Sequence, residues 1–289
     1  MELKKLIGRL EDYDGIYRKA EIEEAISRKD EITPHLIEIL KILLKNPLYY
    51  VNSDYFGHFH ALFLLSFFEE TKAHRLIVDL MSLPDDLPYS LFDDPILEYG
   101  ASALIKTSGG DLTLIKELAL NKDADEYSRS SAISAINYGV IVGYISRNDA
   151  LQFFKEFLEN RKSETKCLPY HTAIDEMLNL CPDGFFDLID TCCREGYYEE
   201  RYSTDYFMEA VEKGVDTCLE DLKRTVEYFS INDLHEVMSW WACFQDAEKS
   251  LQKRSFKFKK LLKDKGFEDC ENHKKKTSKK HQKIEIEKR

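Results

Sequence analysis

What is missing from this sequence narrows its function first. Nowhere do about 18 apolar residues follow one another without a charge, so no segment reads as a membrane-spanning helix. The opening residues, MELKKLIGRLEDYDG, carry a charge every few positions, whereas a secretory signal needs an unbroken apolar stretch. A cytoplasmic location is the expectation that follows. There is no glycine-rich phosphate loop, no Gly-x-Ser-x-Gly turn and no cysteine and histidine pairing suited to nucleophilic catalysis. No catalytic residue and no cofactor is assigned, and an enzyme is disfavoured. The seven cysteines are odd in number and confined to the C-terminal half, where a disulfide framework would show a denser, even set. They read as reduced thiols. Strand-like alternation between turn residues is absent too, which leaves helix.

The helical signals that remain run from the first residues to about residue 265. With 43% hydrophobic residues, the 289-residue chain can build a substantial core. Leu3, Leu6, Ile7 and Leu10 have helical spacing before Asp14-Gly15 interrupts them, and Ala20, Ile22, Ala25 and Ile26 mark a second helix. Thr33-Pro34 has the form of a helix start, a capping hydroxyl followed by proline at the first helical position. The most apolar stretch, from Asp54 to Pro88, predicts a hairpin of two helices, with Asp54 as the cap and Pro84 and Pro88 as the stop. Its first helix is apolar on nearly every face, so neighbours must cover it on both sides. Further hairpins are predicted to start near residues 93, 125 and 168, with capping boxes at Ser146-Arg147-Asn148-Asp149 and Ser230-Ile231-Asn232-Asp233. Steps of 39, 32 and 43 residues suit an α-solenoid of HEAT-like repeats, in which each hairpin buries its face against the next. The fold class is all-α.

Charge divides the chain unevenly. Residues 253–289 hold 15 Lys or Arg against 6 Asp or Glu, a net of +9, so an overall −12 leaves −21 on residues 1–252. Three segments are expected. These are a HEAT-like repeat domain over 1–215, a helical cap over 216–268 continuing it, and a lysine-rich tail over 269–289 with too few apolar residues to fold.

Three stretches carry a family resemblance: EEAISRKDEITPHLIEIL (Glu23 to Leu40), DYFGHFHALFLLSFFEETKAHRLIVDLMSLP (Asp54 to Pro84) and GGDLTLIKELALNKDADEYSRSSAISAI (Gly109 to Ile136). Together they resemble an uncharacterised bacterial family, HEAT-like in fold, whose members often end in a SEC-C zinc motif. The resemblance covers roughly residues 1–215 and implies the fold without a catalytic motif. The SEC-C module needs a cysteine cluster, and near this C-terminus only Cys270, His273 and His281 stand. The lysine-rich tail takes its place.

Several residues invite a site. His58 and His60 form a His-x-His pair, but on a helix they point about 200° apart and do not share an ion. Asp54 and His58, four residues apart, could share a face with Asp79 of the next helix, and Cys167, His171 and Cys181 have zinc-ligand chemistry. Capping, packing and inert buried thiols account for both sets more simply, so no metal is assigned. Asp85, Asp86, Asp93 and Asp94 flank LPYSLF and can form an acidic ridge for a basic partner, since a repeat stack presents successive loops along one edge. Tyr198 and Tyr202, with Trp240 and Trp241, are aromatic candidates for an interface, where tyrosine and tryptophan often anchor binding. They can equally close a core. Lys274, Lys275, Lys276, Lys279, Lys280 and Lys283 make the tail an anion-binding or targeting segment, with weak contact to nucleic acid or anionic lipid.

Of three readings, the first is a non-enzymatic scaffold that binds a partner protein through the repeat face or its acidic edge. The second is a bacterial effector delivered into a host cell, with the tail directing it to nucleus or membrane. The third is a metal-dependent enzyme built on the aspartate and histidine or cysteine sets.

Overall fold

A computed structural model describes residues 1–51, 53–163, 167–198 and 200–245. Seventeen α-helices and two short 3-10 turns account for the regular structure of these residues, and a single isolated bridge between Asp12 and Tyr55 is the only strand-like pairing among them. None of these helices is long and apolar enough to cross a membrane.

The N-terminal block holds α1 (Leu3–Glu11), α2 (Lys19–Ser27), α3 (Lys29–Lys45) and the single turn α4 (Pro47–Tyr50). Here the Thr33-Pro34 signal misleads, because α3 begins five residues earlier, at Lys29. Arg28 sets the break from α2 by bonding Glu24, Glu31 and the Met1 carbonyl. Thr33 is inside the helix and donates its hydroxyl to the Lys29 carbonyl.

Four pairs of consecutive helices follow. They are α5 (Gly57–Phe67) with α6 (His74–Met81), α8 (Asp94–Thr107) with α9 (Thr113–Leu120), α10 (Glu126–Ile141) with α11 (Arg147–Glu159), and α12 (Leu168–Asn179) with α13 (Phe186–Arg194). A short helix, α7 (Leu87–Phe92), links the first pair to the second, over a stretch to which the sequence reading gave no element. The first members, α5, α8, α10 and α12, pack side by side in one row, with α3 against α5. Small residues bring the row together at its centre. A Cβ on Gly100 of α8 would stand 2.9 Å from the Ser131 hydroxyl of α10, so the two backbones approach as only glycine permits.

The starts of these pairs are local chemistry. Asp125 accepts the amides of Tyr127 and Ser128, and Ser146 and Asp149 form the predicted box. Pro95 stands in the first turn of α8 and Pro169 in that of α12, where the missing amide costs nothing. Two expected caps are corrected. Asp54 is exposed and does not cap α5; instead Phe56 donates to the Glu11 carbonyl and Tyr13 to that of Asp54, so backbone pairing with the end of α1 sets the entry. The Ser230 box is also displaced, for Ser230 bonds back to the Val226 carbonyl and Asp233 does the capping.

The chain then reverses. Helices α14 (Glu200–Lys213) and α15 (Val215–Tyr228) pack on α12, and α15 extends across α10. The amide of Ile231 donates to the buried Ser102 hydroxyl of α8, α16 (Leu234–Met238) packs on α5, and α17 (Ala242–Gln245) ends the described chain. Residues 215–245 thus return along the first row, from its last helix to its first. The N-terminal block receives them. Tyr17 bonds His235 at 2.6 Å, His235 bonds Glu23 at 2.9 Å, and Tyr13 donates to the Cys243 carbonyl at 2.8 Å. One hydrophobic core consequently runs from Leu6 to Trp241.

Candidate functional site

Two cavities open between the first row and the returning segment, and Glu98 of α8 lines both. The smaller, about 170 Å³, lies where residues 240–243 cross α5 and the start of α8. Its apolar wall is Phe56, Phe59 and Trp241, whose rings meet at centroid distances of 4.5 to 6.3 Å. Its acidic edge is Asp93, Asp94 and Glu98, with Trp240 half exposed beside it. Asp93 stands at φ +52°, a left-handed conformation uncommon for a residue with a side chain.

The larger cavity, about 430 Å³, is bounded by α8, α10, α12 and α15. Glu176 of α12 is its main feature. Burial pushes this carboxyl up to about 7, against the pull of hydrogen bonds from Ser134, Asn179 and Asn137. Glu98 is likewise raised, by burial and then by the nearby Asp94 charge. Hydroxyls of Ser130, Ser131, Ser134, Thr172, Tyr127 and Tyr138 complete a polar lining on α10 and α12.

The structure therefore joins two groups that the sequence left separate, the aspartates of the 93–94 turn and the Trp240-Trp241 pair. It does not join the rest of the ridge. Asp85 and Asp86 are exposed on the other side of α7 and line neither cavity. Tyr198 is nine-tenths buried, donates to Asp175 at 2.6 Å and lies tilted against His171, so it is packed within the fold. Trp241 is also core, but it closes over the first pair and not at the end of the last. The side chain of Tyr202 and the lysines Lys274, Lys275, Lys276, Lys279, Lys280 and Lys283 lie outside the described residues.

Neither metal-ligand set comes together. His58 donates through Nε2 to the Leu91 carbonyl and His60 through Nδ1 to that of Leu10, in opposite directions as the helix geometry requires. Asp79 pairs with Arg75 on its own helix. Cys167 and Cys181 flank α12 at opposite ends, about 20 Å apart at the helical rise, while His171 bonds Asp175. Among the described residues, no group of three or more His, Cys, Asp or Glu side chains converges as a metal ion requires.

Glu98 and Glu176 were not singled out from the sequence, yet each has a signal there. Glu98 falls on the stripe of Ala101, Ser102 and Ile105, and Glu176 on that of Pro169, Ala173 and Leu180, so both are charges on otherwise buried faces.

Comparison with other proteins agrees with the resemblance noted above. Uncharacterized proteins of Chlamydia trachomatis serovar D and Chlamydia muridarum are each 28% identical to this chain over 244 residues. The match covers 83% of this chain and 96% and 97% of those two. No solved structure matches it. A family model described as "Protein of unknown function (DUF1186)" matches residues 1–245, and the chain belongs to that family.

Proposed function

We propose that this protein is a non-enzymatic helical-repeat scaffold, its hairpins stacked as in an α-solenoid, which binds a partner protein through a lysine- or arginine-rich segment. The contact is the mouth formed by Asp93, Asp94, Glu98 and Trp240. The observation that carries this reading is the meeting of three carboxylates with an aromatic wall in one cavity of about 170 Å³. Carboxylates supply the charge and the aromatic faces supply cation-π and stem contacts, a pairing that suits basic side chains. The net charge of −21 over residues 1–252 draws such a partner in.

Trp240 and Trp241 are the chain's two tryptophans, so fluorescence excited at the red edge, beyond the tyrosine band, reports on this mouth. Titration with a synthetic arginine- and lysine-rich decapeptide is expected to give a saturable change. Replacing Asp93 and Asp94 together by Asn is expected to weaken it at least tenfold. Equal binding by that variant, or by an acidic decapeptide, overturns the reading.

A further inference from the structure

The larger cavity presents an electrostatic problem of its own. Its lining carries two carboxylates, Glu98 and Glu176, and no Lys or Arg. Neither glutamate forms an ion pair among the described residues, although surface carboxylates throughout the fold, such as Asp79, Glu159 and Glu209, have found one. A desolvated carboxylate without a cation is costly, and a fold that needed only stability would place an apolar residue there. Glu176 is instead held deliberately. Asn137, wholly buried in α10, donates its amide to the Glu176 carboxylate and backbone carbonyl, and Ser134 and Asn179 add neutral bonds that orient the group without cancelling its charge.

Two further observations indicate what would cancel it. The Ser130 hydroxyl is buried in the wall of the cavity and has no hydrogen-bond partner, so rotation about its side-chain bond would bring a donor and acceptor to a ligand. Between the polar groups lie Leu97, Leu222 and Phe229, which suit methylene groups rather than another charged surface. About 430 Å³ is within the range of small-molecule sites, roughly 300–1,000 Å³.

We infer that the cavity between α8, α10, α12 and α15 binds a small aliphatic di- or polyamine, with an ammonium group against Glu176 and the methylene chain along Leu97, Leu222 and Phe229. This site is separate from the protein-binding mouth proposed above, and Glu98, which lines both, is the link between them.

The test is calorimetric titration of the full chain with 1,4-diaminobutane and with spermidine, at pH 8 and 150 mM salt, beside 1,4-butanediol as the uncharged analogue. One saturable site is expected for the amines and none for the diol. Glu176→Gln preserves shape and hydrogen bonding, and is expected to weaken amine binding at least tenfold with an unchanged far-UV spectrum. Ser130→Ala gives a second, smaller loss, about threefold. Exposed Glu156→Gln is expected to change nothing, which separates the site from general attraction to an acidic surface. Absence of saturable heat, equal affinity in Glu176→Gln, or equal binding of the diol would overturn the inference. The same Glu176→Gln protein is expected to bind the basic decapeptide as the wild type does, so failure of one site is distinguishable from failure of the other.

Discussion

The two ends of the first helical row solve the burial of polar groups in opposite ways. In α5, the side chains of His58, His60 and Ser66 are buried, and each spends a hydrogen bond on a backbone carbonyl, of Leu91, Leu10 and Leu62. Aromatic rings fill most of the rest. In α12, Glu176 is buried beside a cavity, bonded to neutral donors and left with its charge unmatched. The same architecture therefore holds uncharged polar groups packed among aromatic rings at one end and a buried carboxylate beside a cavity at the other. The difference lies in whether the buried group is a carboxylate whose charge no cation among the described residues matches.

That contrast predicts unequal responses to change. The largest effect is expected at the end that holds α5. Trp241→Ala removes an indole packed on Phe59 and Phe63 at 5.8 and 5.0 Å, and should cost about 3–5 kcal/mol in urea unfolding followed by circular dichroism. A loss below about 1 kcal/mol would show that the returning segment is not integral to the core.

Next come the two titrations, which have opposite signs. Burial pushes His60 down to about 4 from 6.5, so between these values the unfolded chain binds a proton that the folded chain refuses. Stability should then fall on acidification through that window, by up to about 3 kcal/mol. His60→Asn should flatten the slope. Glu176 behaves in reverse, because its folded value of about 7 lies above the ordinary 4.5 of a glutamate and the folded state holds the extra proton. Its contribution is present at low pH and is lost as pH rises through 7, and since part of the side chain stays accessible to solvent we expect about 1–2 kcal/mol. Glu176→Gln should match the wild type near pH 4 and exceed it at pH 8. An unchanged pH profile in both variants would abolish the distinction between the two ends.

A smaller effect is expected where the chain ends meet. Tyr17→Phe deletes the hydroxyl bonded to His235 and should cost about 1 kcal/mol, read as faster amide exchange in residues 231–238. The smallest belongs to the exposed Arg75 and Asp79 pair, where Asp79→Asn should change stability by less than about 0.5 kcal/mol.

Much of the fold is legible in the sequence because it is made of short-range chemistry. Helices begin at Gly57, Asp94, Glu126 and Leu168, against starts anticipated near residues 54, 93, 125 and 168. The all-round apolar character of α5 correctly announced a helix covered on both sides, by α3 and α8. Local signals failed where a distant segment intervened. Asp54 lost its capping role to backbone pairing with α1, and Thr33-Pro34 was overruled by Arg28 and its partners.

The candidate site was less legible. Asp93, Asp94, Trp240 and Trp241 were each visible as residue types worth attention, yet about 147 positions separate the two groups. Periodicity carries no information across that distance. Glu98 and Glu176 were readable only as charges out of place on buried stripes, a pattern that acquires meaning once the opposing surface is known. By itself the sequence determined the helical class and the approximate starts of four helices, since spacing, caps and prolines act within a few residues. Only the tertiary structure decided that residues 215–245 turn back across the first row, because that path is set by burial of Ile231, Leu234, Met238 and Trp241 against helices more than a hundred residues away. Both cavities are products of that return.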